Sequence, residues 1–127
     1  MCRGPVDLSE PLTHFLYSKK NFSKLKMVVN HSAFMPPRNR RLSCFRIYRL
    51  LEGRVWNIGK RISKKRRESL KGRADIPAHS VIETSLTIDS GLRLSRHINI
   101  VGWPEEPSNI LLKATELAQQ ASLKLLV

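Results

Sequence analysis

Three residues of this sequence have the types that phosphodiester chemistry requires: Arg46, Arg96 and His97. A histidine moves a proton near neutral pH, and arginines stabilise the charge that develops on a phosphorane. Together they would suit cleavage of RNA by attack of its own 2′-hydroxyl. By strand parity Arg96 lies on the inward side of its strand. Arg46 sits between Cys44 and Tyr48 on an otherwise apolar face, where a charge must be paired or must reach a ligand. If Ile88 pairs with Leu92, Glu83 faces His97 across a hairpin. A plainer reading competes. In it His97 is a surface histidine, the arginines make structural pairs, and Arg46 reaches water at the sheet's rim.

Other chemistries have less to stand on. His14, His31, His79 and His97 lack the close pairs of a zinc or iron site, so no metal is expected. Cys2 and Cys44 form no CxxC, and Cys44 lies in an apolar run, as a small core residue does. The sequence contains no P-loop, GxGxxG or GxSxG, and no cofactor is expected.

The stronger signal is charge. Residues 38–73 contain fourteen basic residues against Glu52 and Glu68, a net charge of +12 in a chain whose total is +13. Flexible cations closely spaced on one surface are what phosphate contact needs. The candidate contacts are Arg38, Arg40 and Arg41 in a loop, then Arg54, Lys60, Arg61, Lys64, Lys65, Arg66, Arg67, Lys71 and Arg73 along a helix and its exit. A solvated charged face is the alternative, but such faces are usually mixed in sign. No zinc-finger spacing, RNP-type aromatic motif or GXXG loop is present, so contact with backbone rather than bases is expected.

A chain of 127 residues with 41% hydrophobic and 26% charged content fits one basic globular domain. No apolar run approaches a membrane span, and the N-terminal MCRGPVDLSE lacks the apolar core of a signal peptide. The expected compartment is the cytosol. In a eukaryote Lys64-Lys65-Arg66-Arg67 would also suit nuclear import.

The elements that must position these residues follow from periodicity. Residues 1–8 read as a loose arm. Ser9 reads as the cap of a short helix bearing Leu12, Phe15 and Leu16. Residues 25–35 alternate as a half-buried strand with His31 on its apolar side, and Pro36-Pro37 ends it. Residues 42–50 read as a central strand, apolar on both faces. Leu51, Val55, Ile58 and Ile62 then form a helical stripe, followed by a basic extension ending near Gly72 as C-cap. Asp75-Ile76-Pro77 starts a short helix to Glu83, in competition with a strand over 81–89. A hairpin turns at Asp89-Ser90-Gly91, with Leu92, Leu94, Ile98 and Ile100 inward. A last helix from Glu105 buries Ile110, Ala114, Leu117, Ala118, Ala121 and Leu125.

The expected fold is α+β, an antiparallel four-stranded sheet packed with two to four helices in a single domain. In size, charge and element order it is similar to the small basic α+β toxins of bacterial toxin–antitoxin pairs, which cut RNA. That resemblance is one of fold alone and carries over no residue. Three readings follow: a nucleic-acid-binding protein, RNA ahead of DNA; an RNA-cleaving enzyme on the same platform; and a subunit that docks on an acidic protein partner.

Overall fold

The computed structural model describes residues 4–91 and 95–126. In chain order it contains β1 (Pro11–Leu16), a small ribbon of β2 (Phe22–Ser23) and β3 (Val28–Val29), β4 (Leu42–Arg46), α1 (Glu52–Arg66) and β5 (Gly72–Pro77). Then follow α2 (Ala78–Glu83), β6 (Thr87–Asp89), β7 (His97–Val101), α3 (Pro107–Gln120) and β8 (Ser122–Leu125). The fold is α+β, and its sheet has six strands rather than the expected four, in the order β6-β7-β4-β1-β5-β8. Every pairing is antiparallel.

Helices cover both faces of this sheet. On one face Leu12, Leu16, Cys44, Ile76, Ile98 and Ile100 are buried against Ala114, Leu117 and Ala118 of α3 and Val81 of α2. On the other, α1 alone packs Val55 onto Phe15, Ile47 and Leu70. Two covered faces explain the largest departure from expectation. The segment expected to be a helix forms a turn at Ser9 and then strand β1, Pro11–Leu16. Leu12 and Leu16 point to one face and Phe15 to the other. A strand apolar on both sides offers no period to tell it from a helix. Ser9 instead donates to the Asp7 carboxylate in a tight turn.

Other boundaries moved for local reasons. The alternation of residues 25–35 is broken at Met27, which is left-handed (φ 52°), and Leu25 is 94% exposed. A 3-10 turn, His31–Phe34, follows, with Phe34 in the core and His31 exposed. The strand expected over 42–50 stops at Arg46. Leu51 is 75% exposed at the start of α1 and lies outside its buried stripe. Gly72 begins β5 instead of capping α1, and Asp75 lies within that strand. The short helix ending at Glu83 forms as α2, and only Thr87–Asp89 of the competing strand is extended. The hairpin is wider than expected, because Ile88 pairs with Ile100. Leu92 and Leu94 lie outside the described residues. Leu125 belongs to β8, beyond the end of α3.

One glycine sets how closely α1 seats. A Cβ at Gly59 would stand 2.7 Å from the Phe15 ring and 2.9 Å from Leu70, whereas one at Gly53 meets nothing. Gly59→Ala should therefore lower stability by about 1–3 kcal/mol through overpacking. Gly53→Ala should raise it by about 0.5–1 kcal/mol through helix propensity. Urea melts of the two variants check this. Shifts of the same sign would show that α1 is not seated on Phe15.

Candidate nucleic-acid interface

The structure separates the three candidate catalytic residues. Phe45 pairs with His97 across β4 and β7, which puts both on the α1 face. Arg46, the next residue, points the other way and is 6% exposed. It donates to Glu10 from Nε (2.9 Å) and Nη2 (2.8 Å), and to the carbonyl oxygens of Gly4 (2.9 Å) and Pro5 (3.3 Å). Arg46 is thus a buried structural cation and not part of a shared anion pocket. These bonds fasten Gly4 and Pro5, and the Leu8 carbonyl accepts from the His79 N–H at 2.9 Å, so residues 4–8 are no loose arm. Arg96 lies in the β6–β7 connection, not inward on a strand, and its Nη1 donates to the carbonyl oxygens of Arg46 and Tyr48, each at 3.1 Å.

His97 shares a 2.7 Å hydrogen bond with the Ser43 hydroxyl through Nε2, and its ring is 5.2 Å from that of Phe45. Glu83 does not face it in the described bonds, since its carboxylate meets His79 at 3.0 Å. The remaining histidines scatter. Burial holds His14 below the usual histidine range, and its Nδ1–H donates to the Ser43 carbonyl at 2.8 Å. Burial also pushes the Cys44 thiol up, so it is no nucleophile. Among the described residues no cluster of three or more His, Cys, Asp or Glu could hold a metal ion.

The basic set divides into cations inside the fold and cations on its surface. Arg73 is 1% exposed and serves the fold, not a phosphate. Its Nη2 donates to Glu52 (2.8 Å), its Nε to Asp75 (3.1 Å), and its guanidinium lies 4.8 Å from the centre of the Trp56 ring. That pairing holds the Glu52 carboxyl below its usual range. Arg40 is half-buried and donates to the carbonyl oxygens of Trp103 and Pro104. Arg41, exposed, pairs with Asp89 at 2.6 Å. Arg38 is exposed in its loop, and Lys71 is half-buried beside Lys19 and Lys24 in a separate groove.

Helix α1 holds the rest. Arg54, Lys60, Arg61, Lys64, Lys65, Arg66 and Arg67 are all exposed. Arg66 pairs with Glu68 at 2.9 Å and stacks 4.5 Å from the Tyr17 ring centre. Among the described residues no carboxylate lies within ion-pair distance of the other six. The cation run reaches the helix C-terminus, where it also complements the negative end of the helix dipole.

That terminus is built in an unusual way. Arg67 is left-handed (φ 57°), its N–H donates to the Lys64 carbonyl at 3.4 Å, and the Glu68 N–H donates to the Ser63 carbonyl at 3.2 Å. The two bonds form a Schellman cap, whose left-handed position normally favours glycine.

Beside α1 the sheet is left open. A groove of about 660 Å³ has Phe45 and His97 of the sheet as its floor, Ile58, Arg61, Ile62 and Lys65 of α1 on one wall, and Arg96 on the other. It continues past Ser95 and His97 into a second hollow of about 440 Å³ bounded by Arg41, Asp89 and Asn99. Ser43, Phe45 and Asn99 were missed in the sequence. The signal was their position on the polar side of β4 and β7, opposite Cys44, Ile98 and Ile100. Compared with known protein families, curated proteins and solved structures, the chain matches none.

Two substitutions test these placements. Arg46→Ala leaves Glu10 buried without its partner and should cost about 3–5 kcal/mol in a urea melt. A loss under about 1 kcal/mol would show that the pair is solvated. Arg67→Gly should raise thermal stability by about 0.5–1 kcal/mol, because glycine relieves the left-handed strain. A loss of stability would place the Arg67 side chain in contacts that outweigh the strain.

Proposed function

We propose that this protein binds nucleic acid, RNA ahead of DNA, mainly through phosphate contacts from the outer face of α1. The observation that carries this is the row Lys60, Arg61, Lys64, Lys65 and Arg67, exposed and without carboxylate partners among the described residues. A solvated surface of mixed sign would pair such cations. Here they stand beside a concave groove whose far wall adds Arg96. A flexible strand can follow that groove while its phosphates meet both walls. A rigid duplex would meet the helix along one side only, because the other side of α1 is packed on the sheet. RNA is more often recognised unpaired than DNA. No helix among the described residues is long and apolar enough to cross a membrane. The reading implies the cytosol, or the nucleus in a eukaryotic cell.

The RNA-cleaving alternative keeps His97 and Arg96 at the groove but loses Arg46 to the opposite face. Docking on an acidic protein would use the same cations as the proposed binding.

Binding to single-stranded RNA and duplex DNA across a salt series tests the proposal. Each neutralised phosphate contributes about 0.7 to the log–log slope for a single strand, so changing Lys60, Arg61, Lys64 and Lys65 together to Gln should flatten it by about 3. An unchanged slope would move the contact off α1, and no binding at about 50 mM salt would end the nucleic-acid reading. The recovered RNA should run intact. Shortened RNA whose cleavage is lost in His97→Ala would instead support the enzyme.

A further inference from the structure

The groove contains more than phosphate contact needs. A surface that only neutralises a backbone requires cations and no particular floor. This floor is a sheet face carrying two rings, those of half-buried Phe45 and exposed His97, 5.2 Å apart and tilted 50° to each other. Hydrogen-bonding groups flank the rings: the Ser43 hydroxyl beside His97 and the Asn99 side chain opposite Ser43. Arg61 and Lys65 of α1 border the floor on one side, and Arg41, paired with Asp89, lies at the β4 entry.

Resting on the proposed function, the geometry points to a more specific ligand: an unpaired strand of RNA whose bases lie on Phe45 and His97 while its phosphates run along Arg61 and Lys65. Rings flanked by cations on an antiparallel sheet offer bases a stacking surface that tolerates any sequence, since every base has a π-face. A duplex hides those faces inside its own stack and gains nothing from the rings. The polar groups beside the rings suit base edges and 2′-hydroxyls, both donor and acceptor. An acidic protein surface would match the cations but leave the rings without function.

Three labelled probes of equal length separate the two layers of this reading: single-stranded RNA, the same RNA as a duplex, and an abasic strand with sugar and phosphate but no bases. The intact protein should bind the single strand roughly tenfold more tightly than the abasic strand or the duplex, the scale of one stacked base. Phe45→Leu keeps an apolar side chain against Phe15 and removes the ring, and should bring single-strand affinity down to the abasic level. Exposed His97→Ala should do the same in part, so a folding defect at Phe45 cannot hide the result. The salt slope should stay that of the unmodified protein in both variants. If the single strand, the abasic strand and the duplex bind alike with a steep slope, the stacking floor is overturned and the phosphate-binding function stands. If none of the probes binds, both fall.

Discussion

The structure depends on how one helix meets one face of a six-stranded sheet. Gly59 lets α1 settle onto the Phe15 ring, and buried Arg73 ties Glu52 in its first turn to Asp75 of β5. These contacts hold the helix above β1 and β5. Six strands spaced about 4.8 Å apart span roughly 24 Å, whereas a helix is about 10 Å across, so one helix cannot cover that face. The uncovered parts fall over β4 and β7 on one side and β8 on the other, and the groove beside α1 follows from the mismatch in width.

The arginines divide according to what surrounds them. Arg46 and Arg73 are enclosed on opposite faces of the sheet, each with carboxylates in reach. A cation removed from water must gain such partners, and each of these joins segments far apart in sequence. Arg40 serves local structure by holding the backbone of Trp103 and Pro104. The surface field that a polyanion would meet is therefore smaller than the +12 of residues 38–73 suggests, and it is concentrated on α1. Lys60, Lys64 and Lys65 add flexible, hydrated charges there, which suit a backbone with no fixed register.

Much of this was legible in the sequence, and the failures have physical causes. The α+β class, the helical stripe of Val55, Ile58 and Ile62, and the core residues Ile98, Ile100, Ala114 and Leu117 followed from periodicity. Strand β1 did not, because burial on both faces removes alternation. Strand β5 was hidden by its own ion pair: Arg73 and Asp75 read as surface residues, yet they share the α1 face and neutralise each other there. The convergence of Arg46 and His97 failed by parity alone, since residues 45 and 46 of one strand face opposite ways. Arg61 and Lys65 were visible as charge, and His97 as a polar strand residue. That they border one groove depends on where α1 lies, which no local pattern encodes.

The position of β1 bears on how this chain assembles. It precedes both of its neighbours in the chain, β4 and β5, whose last residues are Arg46 and Pro77. Its two neighbours are complete only after about sixty further residues, roughly 3–12 s at common elongation rates. Until β4 is made Leu12, Phe15 and Leu16 have no strand to pair beside, and until β5 is made β1 stays an edge. Closure of the core is set by distant contacts and not by local ones, which places this fold among the slower-folding topologies for its size.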